Sequence, residues 1–197
     1  MTLGGAFRSS GIIRVGVTVT FLRMDHAPDA PPPPLPEGAT IQRVTAPTVG
    51  FYRYLYNTVG ADYVWWLRRT MPDGELATLL RHSGVAVHVL YAGGEPAGFF
   101  ELDTRPAPNV NLSYFGLLPH AVGAGIGLGF LRHAVATAWA TAWATGARGL
   151  TVNTCTADHP RALPNYLRTD FRILRASSEL WDVPTSLGLK IPDRLRA

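Results

Sequence analysis

Three glycines, at positions 123, 125 and 127, fall in the run Val122-Gly-Ala-Gly-Ile-Gly127. Before it lies an apolar stretch of strand character, Val110 to Leu118, and after it a long segment with helical spacing. Glycine lets the backbone approach a ligand closely, and the first turn of a helix carries N–H groups with no partner inside the helix. Such a turn, aided by the helix dipole, can grip anionic oxygens, so the chemistry on offer is phosphate binding. Leu128 and Gly129 stand where a Walker loop would carry its lysine and hydroxyl residue. The turn also does not follow the first strand of a βαβ unit, which argues against a dinucleotide-binding fold. Glycines needed only for close packing of helix on strand are the alternative reading.

About 30 residues further on, by the spacing of motif elements, stands Asp158-His159-Pro160-Arg161-Ala162-Leu-Pro-Asn-Tyr166-Leu-Arg-Thr-Asp170-Phe171. Together the two runs resemble the GNAT superfamily of acetyl-CoA-dependent N-acetyltransferases. Its pyrophosphate loop reads Arg/Gln-x-x-Gly-x-Gly/Ala, and its later motif reads Asn-x-x-Ala-x-x-x-Tyr-x-x-x-Gly-Phe. Here Val122 replaces Arg or Gln, His159 replaces Asn and Asp170 replaces Gly, so the spacing is kept while three residues differ. The resemblance covers Ala86 to Phe171.

That resemblance implies a three-layer α/β/α fold of the α+β class, with a mostly antiparallel sheet splayed where acetyl-CoA enters. It implies cofactor contacts from Val122, Gly123, Ala124, Gly125, Ile126 and Gly127, and from His159, Arg161 and Ala162. Leu117 and Leu118 would turn backbone N–H groups toward the acetyl carbonyl, where donors in a dry site are most effective. Arg161, with Arg132 and Arg168 behind it, would meet the 3′-phosphate, since arginine suits phosphate geometry. Tyr166 would be the general acid that protonates the departing thiolate, or else a buried tyrosine packed beside the cofactor.

Glu101 is a charge within the apolar strand Gly98-Phe-Phe-Glu-Leu102. A carboxylate in a partly apolar cleft can take a proton from an attacking amine, and Asp103 is the reserve candidate on the same face. The alternatives for Glu101 are an anchor for the substrate ammonium and a structural pair with an arginine. Seven aromatics, Phe51, Tyr52, Tyr54, Tyr56, Tyr63, Trp65 and Trp66, crowd 16 residues, and two of them are expected to face a substrate. Cys155 has no adjacent base and reads as an inert thiol. The histidines lack metal-ligand spacing, so no metal is expected.

The elements that must position these groups follow from period and punctuation. Alternation predicts a strand over Ile12–Met24 and a short one over Thr40–Val44. Six prolines in Pro28–Pro36 predict a loop. Pro47–Tyr56, Asp62–Arg69 and Pro72–His82 read as helices. Val85–Tyr91 and Ala97–Asp103 form a hairpin through Gly93-Gly94. Gly127–Thr145 is a helix with Leu128, Leu131, Val135, Ala138/Trp139 and Ala142/Trp143 on its inner face, both tryptophans packing on the sheet, and Gly146 ends it. Gly149–Cys155 is a strand, Pro160–Arg168 a helix and Phe171–Trp181 a final strand or hairpin.

Composition bounds the rest. The 197 residues suit one domain, 1–197, and 47% apolar against 16% charged residues excludes a disordered chain. A net charge of +4 without a basic stripe argues against nucleic acid. No apolar run approaches the roughly 20 residues of a membrane helix, and a lone cysteine excludes internal disulfides, so a cytoplasmic setting is expected. The reading is an N-acetyltransferase that moves an acetyl group from acetyl-CoA to a small-molecule amine by direct attack, with a homodimer left open. The alternative is a catalytically silent acyl-CoA-binding module of the same fold.

Overall fold

Alternating apolar residues and glycine-rich turns build one mixed sheet. The computed structural model describes residues 11–197. Strands β1 (Ile12–Met24), β2 (Ala39–Val44), β3 (Val85–Ala92), β4 (Glu95–Asp103), β5 (Val110–Leu117), β6 (Leu150–Cys155) and β7 (Arg172–Pro184) lie in the order β2-β3-β4-β5-β6-β1-β7. Every neighbouring pair is antiparallel except β5 and β6. Helices α1 (Val49–Val59), α2 (Leu67–Thr70) and α3 (Asp73–Arg81) precede the β3–β4 hairpin, while α4 (Gly127–Thr145) and α5 (Ala162–Leu167) flank β6. The expected three-layer α+β fold with its splayed sheet is thus the observed one.

Adjacent side chains on a strand point to opposite faces, so Phe99 and Phe100 are both fully buried, in different cores. Phe99 packs with Tyr52, Leu55 and Leu76 under α1 and α3, whereas Phe100 packs with Phe130, Leu131 and Ala134 of α4. A third cluster joins Val15, Val17 and Val19 of β1 to Val183, Ile191 and Leu195. No helix among the described residues is long and apolar enough to cross a membrane.

Two expectations need correction. The segment Asp62–Arg69 is not one helix: a short helical turn over Gly60–Asp62 ends, Val64 adopts φ 57°, and α2 begins only at Leu67. The chain folds back so that the Tyr63 and Trp65 N–H groups both donate to the Gly60 carbonyl, and a side chain at Gly60 would collide with Trp65. A β-branched residue at positive φ is a costly conformation. Here burial of Val64 in the third cluster offsets it. The second correction concerns α4. Trp139 is buried and donates from Nε1 to Met24 Sδ at 3.0 Å, but Trp143 is 70% exposed. The buried stripe is Phe130/Leu131, Ala134/Val135, Ala138/Trp139 and Ala142, so Trp143 falls on its fringe in the last turn.

Candidate active site

The opening in the sheet has a local cause. β5 and β6 pair in parallel only through Val110–Leu150, Asn111–Thr151 and Leu112–Val152. Immediately afterwards Ser113 is left out of the β4–β5 register, which runs from Leu102–Leu112 to Glu101–Tyr114. A bulge of this kind bends its strand, and β5 swings away from β6, which stays paired with β1. The result is a cleft of about 1350 Å³, lined on one side by Ser113–Leu117 and on the other by Asn153 and Cys155.

The backbone beside this cleft is left with free donors. Leu118 N–H donates to the Ala97 carbonyl at 2.9 Å. Because bonds alternate along an antiparallel ladder, the neighbouring Leu117 N–H faces the other way, toward the cleft, as does Phe115 N–H. Leu118 is therefore corrected as a donor: its N–H is consumed by the sheet and its side chain is buried under α1. Leu117 keeps the expected orientation.

In the glycine loop, Gly123 and Gly125 have φ of 88° and 81°. Val122 and Ala124 N–H groups donate to Pro119 and Ala121. Among the described residues no acceptor engages the N–H groups of Gly123, Gly125, Ile126, Gly127 or Leu128. Val122, Gly123, Gly125, Gly127 and Leu128 line the cleft; Ala124 and Ile126 do not, Ile126 packing instead on the α4 core. Nothing lies within 4 Å of a Cβ built on Gly123 or Gly125, so the cradle is open.

α5 closes the far wall. Asp158 anchors it to the end of β6 by accepting from Thr154 Oγ1 (2.7 Å), Cys155 N–H (2.9 Å) and Trp65 Nε1 (3.3 Å). His159, Arg161, Ala162, Tyr166 and Arg168 all line the cleft, and His159 Nδ1 accepts from Arg161 N–H at 3.0 Å. Arg132 is exposed on α4 and does not line it. Asp170, which occupies the glycine position of the later motif, has φ 67°. The site demands a left-handed residue, and aspartate is among the side chains that accept it. Tyr166 is buried against Phe171, its hydroxyl has no partner among the described residues, and burial together with the Asp158 charge raises its pKa well above the phenol range. Burial and the same carboxylate push the Cys155 thiol up to about 12.

Glu101 has no solvent exposure. Its carboxylate accepts from Tyr52 O–H at 2.5 Å and from Arg68 Nη2 at 2.8 Å. It does not line the cleft; Arg68, which does, stands beside Tyr114 with its guanidinium carbon 5.3 Å from the ring centroid. Burial alone would weaken the Arg68 charge, but Glu101 holds its pKa above the usual arginine value. Asp103 lies past the bulge, bound by three contacts to the Arg105 guanidinium and away from the cleft.

Four of the seven clustered aromatics line the cleft, namely Tyr56, Tyr63, Trp65 and Trp66. The fold-back at Gly60 that broke the helix is what brings the tryptophans there. Sequence reasoning missed Arg68, Tyr114, Asp158 and Glu179 as wall residues. Tyr114 carried a signal, since it lies in the strand that leads to the glycine loop, while Arg68 and Glu179 reach the cleft only through tertiary packing.

No protein-family model matches the chain, and no curated protein sequence does. Solved structures do. A GCN5-related N-acetyltransferase from Sphaerobacter thermophilus is 17% identical with a TM-score of 0.55, over 88% of this chain and 53% of that one. A tandem GNAT protein from the clavulanic acid biosynthesis pathway, in a structure without AcCoA, is 16% identical with a TM-score of 0.58, over 88% and 55%. An aminoglycoside acetyltransferase from an uncultured soil metagenomic sample, in complex with trehalose, is 16% identical with a TM-score of 0.52, over 68% and 88%. The chain spans between half and two thirds of the length of the first two and of a Kribbella flavida relative. These likenesses establish the fold: it is that of the GCN5-related N-acetyltransferases.

Proposed function

We propose that the chain is an acyltransferase that takes an acetyl group from acetyl-CoA and passes it to the amine of a small molecule in a ternary complex. The observation that carries this reading is the set of unengaged N–H groups on Gly123, Gly125, Gly127 and Leu128, residues that line the cleft beside β5. A diphosphate would suit that loop because the free donors lie at a helix start and the space beside Gly123 and Gly125 is open. Arg161 and Arg168, at the two ends of α5 on the far wall, suit a further phosphate.

When bound, acetyl-CoA would supply an activated thioester carbonyl. The Leu117 N–H would donate to the carbonyl oxygen as it gains charge, and the apolar walls would keep water from competing. Tyr166, protonated throughout the neutral range, would hold its proton at the hydroxyl oxygen and deliver it to the departing sulfur. Glu101 serves in this reading as a positioning residue, fixing Arg68 in the cleft wall and Tyr52 behind it. Asp158 and Glu179, carboxylates on the cleft wall, would attract an ammonium acceptor. The setting that suits this chemistry is the cytoplasm.

The test is release of free thiol from acetyl-CoA across a set of diverse amines. Tyr166→Phe is expected to lower the rate by about 100-fold or more while leaving the CoA-induced rise in Tm intact. A protein stabilised by CoA but silent with every amine would instead be the acyl-CoA-binding module, a reading favoured by the absence of Glu101 from the cleft. Indifference to CoA would end both.

A further inference from the structure

Among the described residues β7 is an edge strand, paired with β1 on one side and with no strand on the other. Edge strands offer unpaired N–H and C=O groups, and proteins commonly guard them with lysine, internal proline or a covering helix. β7 is 13 residues long, has no lysine, and carries its one proline at the last position. Ile173 and Leu174 are each 49% exposed and Leu180 is 65% exposed.

Its sequence is complementary to its own reversal. Written about Ser177, the run Arg175-Ala-Ser-Ser-Glu179 sets Arg175 opposite Glu179 and Ala176 opposite Ser178, while Arg172 and Asp182 further out already pair with Asp25 and Arg14 of their own chain. Arg175 and Glu179 have no oppositely charged partner among the described residues. The Arg175 guanidinium is held 3.8 Å over the Phe21 ring, on the face of the sheet that Phe21 and Glu179 turn to the cleft.

The backbone is in phase with this pattern. Thr18 donates its N–H to Thr156 Oγ1 and accepts at its C=O from Thr156 N–H, beyond the end of β6, so Ser178, its partner in β7, points its own N–H and C=O outward. Ala176, two residues away, does the same. We propose that two copies of this chain pair their β7 strands antiparallel about a twofold axis through Ser177, joining two seven-stranded sheets into one. Ala176 and Ser178 then exchange four N–H···O=C bonds with the partner. Arg175–Glu179 becomes the closely spaced pair without backbone bonds, in which side chains approach most nearly. The bulge that leaves Leu174 unpaired with β1 sits just outside this five-residue centre, so the outer pairs meet displaced by one position. An isologous contact requires that each residue meet its complement in both directions, and a strand with this charge order satisfies it. Because Glu179 lines the cleft, Arg175 of the partner subunit would stand at its rim.

Sedimentation velocity on the full chain tests the assignment. The parent protein is expected to sediment at twice the chain mass at micromolar concentration. Arg175→Glu and Glu179→Arg, each putting like charges opposite one another twice per dimer, are expected to raise the dimer dissociation constant about tenfold or more. The double exchange, Arg175→Glu with Glu179→Arg, is again complementary to itself and is expected to restore the dimer. Ser178→Pro removes an outward donor without touching the β1 ladder and is expected to give folded monomer, checked by circular dichroism. A parent that stays monomeric at 100 times that concentration, on the order of 100 μM, overturns the proposal. So does a dimer indifferent to both single reversals and to Ser178→Pro.

Discussion

Arg68 Nη2 lies 2.8 Å from Glu101 Oε1, and this ion pair spans the cleft wall: Arg68 lines the cleft, while Glu101, with the Tyr52 hydroxyl on its second carboxylate oxygen, lies behind it. Deleting one partner of a buried pair leaves the other charge uncompensated, which costs about 3–5 kcal/mol. Arg68 keeps a little exposure, so the lower end of that range is expected for Glu101→Ala in urea denaturation. Replacing both partners, Arg68→Met with Glu101→Leu, is expected to recover most of the loss. A Glu101→Ala protein within about 0.5 kcal/mol of its parent would mean that the pair contributes no more than a surface substitution.

The glycine loop separates conformational from steric need. At Gly125, with φ 81° and open space around a Cβ, alanine costs about 1–2 kcal/mol through its left-handed backbone alone. At Gly127, a Cβ would rest 3.5 Å from Leu117 Cδ1, an ordinary contact, in the first turn of α4. Thermal denaturation with and without CoA should therefore find Gly125→Ala less stable and less responsive to CoA, and Gly127→Ala at least as stable as the parent. The reverse order would contradict the loop geometry.

His88 stacks on Phe100 at 4.6 Å, and burial, with the Arg43 charge, brings its pKa down to about 4. The unfolded chain binds this proton near pH 6.5 and the folded protein does not. His88 thus leaves stability intact above pH 6.5, and stability is lost as the pH falls from there through about 4. Asp25 and Asp103, whose pKa values are lowered by their arginine partners, lose their contributions only below 3.8. In denaturation at pH 7 and pH 4.5, roughly the two ends of that window, His88→Phe should flatten the decline of the parent; an unchanged slope would remove His88 from the account.

Cys155 faces the cleft but is poorly ionised, its thiol pushed up to about 12 by burial and then by Asp158. Below about 9 its protonated form is favoured equally in both states, so its stabilising effect is complete there and is lost as pH rises toward 12. Since the thiolate is the nucleophile, a disulfide reagent at neutral pH should label the native protein slowly and the unfolded protein rapidly. Cys155→Ala should retain thiol release with amines. Rapid native labelling, or loss of activity in that variant, would reopen the question of a nucleophilic role.

Local chemistry made much of this protein readable from its residues. The Gly93-Gly94 turn, the start of α4 at Gly127 and its stop at Gly146 depend on neighbours within a few positions, and all three fall where the spacing puts them. The glycine loop and the later tyrosine helix were legible for the same reason: their spacing is a property of one strand–turn–helix unit. What failed was decided at a distance. The Asp62–Arg69 helix gave way because Val64 is buried in the cluster of Val15, Val17 and Val19 of β1, and Trp143 lost its place in the core because the stripe that α4 buries against the sheet passes it by.

Sequence alone determined most of the strands and helices and that a glycine-rich turn opens the longest helix, because period and glycine placement act over a few residues. Only the tertiary structure decided that Leu118 spends its N–H on Ala97 while Leu117 keeps its own, that Arg68 withdraws Glu101 from the cleft, and that β7 is left at the edge. Those outcomes depend on register and on which side chains share a face, and a ladder's phase is fixed only when its partner strand is in place.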